Sequence, residues 1–345
     1  MLIANNRKNE LVETVLDTLP INIMPQGATL PAESALFARN RQRAFIKIQD
    51  GCRYRCSYCI VTKARGEEKS RSCSEIINQI NHLNEEGVQE VVLTGVHVGG
   101  YGSDINSSLT NLVKEILNST SIPRVRFASV EPWDLGDNFF TLFANPRLMP
   151  HMHLPLQSGS NSILRLMSRR CRTEDFAALV TQARESVLNF NITTDIIVGF
   201  PGETEHQWQE TLEFVEQIGF GHIHVFSYSP RAGTKAADMH NQVNEKVKKA
   251  RSATLRQLAD RQRREFIKKQ LGNSAQVLWE KQSATIPANT KIQSNSKSTE
   301  KVFGYTENYT RVCSSTSLVP PAGGIRSCLL NKIEPEGRYA WVDLP

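Results

Sequence analysis

From residue 44 onward, short runs of β-branched and aromatic residues alternate with stretches in which apolar residues recur at helical spacing. The extended runs are AFIKIQ, VQEVVLTG, VRFASV, HMHLPL, NITTDIIVGF and HIHVFSY. Helical periodicity fills residues 74–86, 109–117, 173–188 and 205–218, with one short helix between VRFASV and HMHLPL. Such alternation predicts an α/β fold, with a parallel sheet and right-handed crossovers, because a strand can re-enter a sheet in parallel only through a long connection. Six units over residues 44–235 predict a partial (β/α)6 barrel rather than a closed eight-unit one.

The flanks read differently. Residues 1–40 hold one short helical stretch, residues 10–19, preceded by Arg7 and Lys8 and stopped by Pro20. Residues 244–271 read as a long basic amphipathic helix with Val247, Leu255, Leu258 and Phe266 as its apolar stripe. Beyond Gly272, AQVLWE, KVFGYTENYTRV, IRSCLLNKI and RYAWVDL predict a small all-β module. The Ser- and Asn-rich residues 282–300 between them predict a mobile loop. The expected organisation is therefore a leading segment over 1–40, a barrel over 41–243, a basic helix over 244–271 and a β-module over 272–345.

Composition narrows the class. No run of eighteen apolar residues occurs, so no membrane-spanning helix is expected. The opening MLIANNRKNELVE carries charge where a signal peptide needs an apolar core, which makes the cytoplasm the expected address. The net charge is +6, from 41 Lys and Arg against 35 Asp and Glu. The bases gather at residues 39–43, 63–71, 165–172 and 246–269. Each cluster alone reads as a solvated face, but four of them in a chain with one reactive centre point to a polyanionic partner.

The reactive centre is in the loops. The predicted strand ends carry GCRYRCSYC, TGVHVGG, SVEP, PLQSGS, GFPGE and SYSPRAGT, the stretches richest in Gly, Ser, Cys and Pro. In parallel α/β folds the ligand lies at the carboxyl ends of the strands. Seven cysteines are present, and Cys52, Cys56 and Cys59 stand together after the first strand. A secreted disulfide framework would use an even set spaced more widely, so reduced, metal-binding thiols fit better. Three thiolates holding a four-iron cubane leave one iron open to the amino and carboxylate groups of a small molecule, against which Tyr58 can pack. A structural zinc site and buried cysteines with no metal are the competing readings, but zinc would show two Cys or His pairs with a fourth ligand nearby, and three thiols so close together in a basic, polar loop are poor core material.

This cysteine spacing, set on a partial barrel, resembles the radical S-adenosylmethionine enzymes. In more detail, QDGCRYRCSYCIVTKARG, VVLTGVHVGGYGSD, PHMHLPLQSGS, ITTDIIVGFPGETE, HVFSYSPRAGT and GYTENYTRV together resemble the methylthiotransferases. Among these they are most similar to the bacterial branch that modifies threonylcarbamoyladenosine beside the tRNA anticodon. The match runs from about residue 5 to 313. The resemblance implies a 4Fe-4S cluster on Cys52, Cys56 and Cys59 that reduces S-adenosylmethionine and yields a hydrogen-abstracting 5′-deoxyadenosyl radical. It implies no reacting side chain, since the cofactor carries the chemistry and the protein orients it. Carried over by position, Thr94 and Gly95 meet the amino group of S-adenosylmethionine, and Ser129 and Glu131 its ribose or amino-acid part. Gln157 and Ser158 lie on the fourth loop, and Val198 with Gly199 approach the adenine. Ordinary strand-end capping is the alternative for Thr94, Ser129 and Gln157. The implied partners are tRNA and a reducing donor of flavodoxin or ferredoxin type. The β-module resembles the TRAM-like RNA-binding barrel of these enzymes, with Tyr305, Tyr309 and Arg311 as groups able to stack on bases and meet phosphates; aromatics packed as core of a small β-domain are the alternative.

The resemblance also departs from the family pattern. Methylthiotransferases carry an N-terminal domain with three further cysteines and a second 4Fe-4S cluster. ANNRKNELVETVL matches only its last part, so residues 1–40 read as a remnant of it and a linker. Cys73, Cys171, Cys313 and Cys328 do not match the ligands of that second cluster, and Cys171 stands where the family often has an aromatic residue. The expected function is methylthiolation of threonylcarbamoyladenosine, impaired if that cluster is missing. The same chemistry on isopentenyladenosine in tRNA or on a ribosomal-protein aspartate is the first alternative. A non-catalytic RNA-binding iron–sulfur protein is the second.

Overall fold

The computed structural model describes residues 10, 14, 42–136, 138–280, 301–315 and 324–343. The helix expected over residues 10–19, apart from Glu10 and Thr14, and the loop expected over 282–300 lie outside these residues.

The predicted alternation is present. The strands are β1 (Arg43–Asp50), the short β2 (Lys69–Ser70), β3 (Glu90–Gly95), β4 (Arg124–Phe127), β5 (His151–His153), β6 (Asn191–Val198) and β7 (His222–Ser227). Strands β1, β3 and β4 pair in parallel, as do β5, β6 and β7. Single parallel bridges, Val125 to Leu148 and Ser129 to His153, carry the sheet from β4 to β5. The result is one curved parallel sheet of six strands in sequence order, edged by β2 antiparallel to β1. Its outer parallel strands, β1 and β7, do not pair with each other, so the barrel is open along one side.

Helices cover the convex face: α1 (Val61–Arg65), α2 (Cys73–Glu85), α3 (Leu109–Ser119), α4 (Asn161–Leu166), α5 (Thr173–Ser186), α6 (Glu205–Ile218) and α7 (Glu245–Lys268). Capping boxes start two of them, Ser72 with Glu75 and Thr204 with Gln207. Each such N-cap adds about 1 kcal/mol by satisfying amides that the first turn leaves unpaired. Gly219, left-handed at φ 66°, ends α6.

Period-two alternation then sorts the strand residues. Ile46, Ile48, Val91, Leu93, Val125, Phe127, Ile192, Ile196 and Val198 enter the main core. Their alternating partners, among them Phe45, Val92, Arg126, His151, His153, Asn191, Thr193, Asp195, His222, His224 and Phe226, line the concave side, a lumen of about 700 Å³. Phe45 and Phe226, on the two edge strands, are 65% and 51% exposed, which marks the open side of the barrel.

The C-terminal segment closes into a five-stranded barrel, order β10-β12-β11-β8-β9, from β8 (Ser274–Trp279), β9 (Lys301–Tyr305), β10 (Arg311–Ser315), β11 (Gly324–Ile333) and β12 (Ala340–Asp343). Its core is Val277, Trp279, Val302, Val312, Leu330 and Val342, with Ile267 of α7 inserted from outside. In α7 the buried face differs from the expected stripe: Leu255, Leu258 and Ile267 are buried but Val247 is exposed. Lys248 and Arg251 are buried instead. Arg251 bonds the buried Glu203 at 2.6 Å, and the Lys248 ammonium lies over the Tyr228 ring.

The small barrel seals the amino-terminal end of the large one through a buried polar seam. Glu90, with no exposure, bonds Arg43 at 2.5 Å and Arg126 at 3.2 Å, with Arg124 at 4.0 Å. Arg124 and Arg126 also donate across the seam to the carbonyls of Gln276 and Glu307. Asn191 donates to the Asn308 carbonyl, and Asn308 donates back to that of Asn189. Tyr305 and Tyr309 stack on each other at 4.6 Å, Tyr309 stacks on His151, and Arg43 lies over both tyrosines. The expectation was of rings free to stack on RNA bases; both instead stack within the seam, while also lining the lumen. Their rings are used in docking one barrel on the other, because the seam's guanidiniums need π-faces and acceptors once removed from water. Several expected surface bases, Arg43, Lys248 and Arg251, are likewise internal.

The lumen histidines give a pH prediction. Burial holds His151 well below the usual imidazole range, His222 down to about 4, and His224 lowered to a lesser degree. These rings are neutral when folded, whereas the unfolded chain takes up protons below 6.5. Folding stability is therefore lost as pH falls through the window from 6.5 to about 4. Glu90, lowered to about 2 by its arginines against the opposing effect of burial, adds a loss of the same sign below 4.5. Urea unfolding of the full chain is expected to show a lower midpoint at about pH 5 than at about pH 7, and an equal midpoint would contradict neutral imidazoles in the lumen.

Candidate active site

The three clustered cysteines sit on the loop that follows β1, at the carboxyl ends of the barrel strands. Gly51, at φ 78°, turns the chain into this loop, and a Cβ there would lie 1.9 Å from the Glu67 carbonyl oxygen. The buried Gln49 side chain fixes the entrance, donating to the carbonyls of Asp50 and Gly51 and accepting from the His97 amide. The loop is held from below by Ser57, whose amide and hydroxyl bond the carbonyls of Met167 and Leu166. The Val61 amide, at the start of α1, donates to Cys59 Sγ at 3.5 Å.

All seven cysteines are free thiols. Burial pushes Cys52 up to about 11 and raises Cys56, although Arg169 pulls Cys56 back. The three sulfurs do not all lie within 4.8 Å of one another. A four-coordinate zinc, about 2.3 Å from each sulfur, would hold its ligands within about 4 Å. Half-buried thiols fanned out this widely fit the corners of a multi-iron cluster, which binds them as thiolates and displaces their protons.

A second residue group braces the loop. His97 is buried, with Nδ1 on Glu68 and Nε2 on Asp134, each at 2.5 Å. Tyr54 donates to Asp134 at 2.9 Å and packs edge-on against the imidazole, while Arg53 reaches both carboxylates. Burial lowers the His97 pKa, but the two carboxylates outweigh it and the net shift is upward. Cys52, Glu68 and His97 converge within 4.8 Å, yet both ring nitrogens are engaged by carboxylates, so the group is an ionic lock. Replacing His97 with alanine leaves two buried carboxylates facing each other and is expected to cost about 3 kcal/mol, read as a lower denaturant midpoint. His97→Gln, which keeps one hydrogen bond, is expected to lose less.

The remaining expected site residues occupy the same end of the sheet. Gly95 closes β3 beside Gln49, where a Cβ would meet the Gln49 carbonyl oxygen at 2.9 Å, and Thr94 pairs with Lys47. Ser129 is exposed just past β4, with its backbone bridged to that of His153. Glu131 accepts from Arg169 at 2.7 Å. Gln157 adopts φ 78° and is bonded through its backbone to β6. Ser158 is fully buried with its hydroxyl 3.3 Å from that of Thr211. Val198 is buried in the core, while the Gly199 amide bonds Glu203 and its α-carbon packs on the Lys248 side chain. Tyr58 packs on Phe200, with its hydroxyl pKa raised by burial.

Two features were missed in the sequence. Arg169 joins the site from after α4. It bonds Glu131 and the Pro155 carbonyl, reaches Cys56 Sγ at 3.9 Å and lies over the Trp133 ring at 4.3 Å. Nothing local in the basic run around it singles it out. The polar lumen did carry a signal: His-x-His in HMHLPL and HIHVFSY, and Asn-x-Thr-x-Asp in NITTDIIVGF, place polar groups on one face at period two. By contrast, Cys171, Cys313 and Cys328 are buried in apolar cores and Cys73 begins α2. No second cysteine cluster forms among the described residues.

Comparison with known proteins agrees with this geometry. Residues 46–215 match the radical SAM superfamily model. The chain is 40% identical to the tRNA-2-methylthio-N(6)-dimethylallyladenosine synthase of Oceanobacillus iheyensis, over 78% of this chain and 50% of that protein. It is also 40% identical to the threonylcarbamoyladenosine tRNA methylthiotransferase MtaB of Thermotoga maritima, over 70% of this chain and 56% of that one. The chain thus spans about half the length of these relatives. In fold it is similar to the radical S-adenosylmethionine methyltransferase TsrM of Kitasatospora setae, at TM-score 0.50 and 17% identity, over 63% of this chain and 42% of that one. No helix among the described residues is long and apolar enough to cross a membrane. With its cysteine loop on an open six-strand barrel and with relatives of this kind, the chain belongs to the radical S-adenosylmethionine methylthiotransferase family.

Proposed function

We propose that this protein works in tRNA modification, as a radical enzyme that methylthiolates an adenosine beside the anticodon, with N6-threonylcarbamoyladenosine as its substrate. One observation carries the reading: three half-buried thiols share one loop at the carboxyl ends of the barrel strands, and the same barrel encloses an open lumen of about 700 Å³, large enough to take a flipped purine. Cys52, Cys56 and Cys59 would hold a 4Fe-4S cluster. The chemistry supplied by such a cluster, when bound, is one-electron cleavage of S-adenosylmethionine to a radical that abstracts a hydrogen atom.

The protein's own residues position and shield. Thr94, Gly95, Ser129, Glu131, Gln157, Ser158, Val198, Gly199 and Tyr58 are assigned to S-adenosylmethionine, with Ser158 and Val198 acting through backbone shape, since their side chains are buried. Arg169 braces Glu131 against the cluster loop and places a fixed positive charge beside Cys56. Arg53 and Arg55 are exposed on the cysteine loop, Arg65 on α1, and Arg165, Arg170 and Arg172 on the segment that Ser57 bonds, where they can meet phosphates. Residues 41–243 form the catalytic unit in this reading. Helix α7 and residues 272–345 extend the RNA-binding face, with exposed Lys246, Lys249 and Arg256 on α7. The electron donor is assigned to the flavodoxin or ferredoxin class.

The test is mass spectrometry of nucleosides from the total tRNA of cells lacking the gene. Loss of 2-methylthio-threonylcarbamoyladenosine is expected. Loss of the dimethylallyl derivative instead would name the other substrate, and an unchanged nucleoside pattern would contradict the proposal.

A further inference from the structure

The lumen has a charge and hydrogen-bond inventory that the radical chemistry does not use. Four arginines line it, Arg126, Arg263, Arg311 and Arg338, together with His151, His153, His222 and His224. Its lining holds a single carboxylate, Asp195, and His153 already lies 3.2 Å from it. Arg263 and Arg338 have acids of their own, Asp260 for the first and Glu334 and Glu336 for the second. Arg311 has no carboxylate partner among the described residues, and its guanidinium lies 4.0 Å from the centre of the Phe303 ring.

Arg126 is worse compensated still. It shares the fully buried Glu90 with Arg43 and Arg124, so three guanidiniums meet one buried carboxylate. Of the nearby acids, Glu280 is more than half exposed and Glu307 is turned to the Gln276 amide. A surplus of positive charge therefore sits behind the lumen floor, where water screens it poorly.

Unmet hydrogen bonds collect at the same place. Arg126 Nη1, His151 Nδ1, His222 Nδ1 and Asn191 Oδ1 have no partner, and all four residues line the cavity. A relay of protons orients the imidazoles: Thr193 Oγ1 lies 3.1 Å from His151 Nε2 and 2.9 Å from His153 Nδ1, and it has one hydroxyl proton to give. Thr193 can serve both rings at once, donating to one nitrogen and accepting from the other, while His151 Nδ1 is left with a hydrogen-bonding position unfilled. The floor thus offers a cationic donor, Arg126 Nη1, an acceptor, Asn191 Oδ1, and two imidazole nitrogens with no partner. An apolar group filling the cavity would seal these atoms away unpaired, at a cost that a polar group avoids.

We infer that the lower lumen is a recognition subsite for an adenine whose N6 substituent carries both a carboxylate and hydrogen-bond donors, and that it discriminates against an uncharged, apolar substituent. Arg311 and His224 meet the carboxylate from the solvent side, with the Arg126 charge behind them. The inference rests on the reading that a tRNA adenosine enters the lumen, and it adds the residues that tell substrates apart.

Isothermal titration of the anaerobically reconstituted full chain with three nucleosides tests it: N6-threonylcarbamoyladenosine, its carboxyl methyl ester and N6-dimethylallyladenosine. The free acid is expected to bind about ten-fold or more tighter than either of the others, because only it supplies the charge and fills the polar floor. Arg311→Met and His224→Phe, both exposed positions whose loss leaves the cores intact, are expected to shrink the preference of acid over ester. Equal or tighter binding of the ester or the dimethylallyl nucleoside overturns the subsite, as does binding of none of the three. Release of 5′-deoxyadenosine from S-adenosylmethionine, measured on the same preparation, reports separately on the radical reading. Cleavage without acid preference removes the subsite alone, and acid preference without cleavage removes the radical reading alone.

Discussion

Cys56→Ala is expected to abolish both the visible absorbance of the reconstituted cluster and the release of 5′-deoxyadenosine. Of the three thiols, Cys56 has the most defined surroundings: Arg169 stands 3.9 Å from its sulfur, and Glu131 reaches that guanidinium from behind. Removing one of three ligands leaves two points of attachment for a cluster that has one corner open already, so assembly fails rather than weakens. The fold should survive, since Cys56 lies outside the main core and the loop stays pinned by Gln49, Ser57 and the His97 lock. Far-ultraviolet dichroism checks that the chain remains folded, and chromatography of the reaction products reads cleavage. Cleavage persisting at even a tenth of the parent rate would mean that the ligands had been misassigned.

Removing residues 272–345 is expected to destabilise the whole protein, not only its hold on RNA. The sequence reads residues 272–345 as a separate small module, but the seam ties that module into the large barrel. Deletion strips the Gln276 and Glu307 carbonyls from Arg124 and Arg126, the Asn308 pairing from Asn191, and the Tyr309 ring from His151. Each lost hydrogen bond in a buried seam costs about 1 kcal/mol, more where a charge is left unpaired. Several such losses, plus the uncovering of Ile267, take away a large share of a total stability of about 5–15 kcal/mol. The thermal midpoint is expected to fall by more than about 10 °C. A truncated chain melting with the full one would show that the barrels dock only loosely.

The barrel was legible in the sequence because its strands and helices each carry strong periodicity and its loops fall where parallel sheets put them. Helix 205–218 matches its expected bounds because Thr204 and Gly219 punctuate it. The cluster loop was legible for a different reason: three cysteines within eight residues have few alternative uses. The docking of the small barrel was not legible, because Glu90, Arg126 and Glu307 are brought together only by tertiary packing. Basic residues misled for the same cause. Arg169, Lys248 and Arg251 look like surface charge in sequence, and only the fold shows the aromatic rings and carboxylates that bury them.

The most direct measurement is electron paramagnetic resonance of the full chain, purified without oxygen, supplied with iron and sulfide, and reduced with dithionite. Expected is the signal of one reduced cubane that changes shape when S-adenosylmethionine is added, because the vacant iron corner gains ligands. A protein that assembles no such centre, or whose signal ignores the added sulfonium compound, would contradict a catalytic cluster on these three thiols.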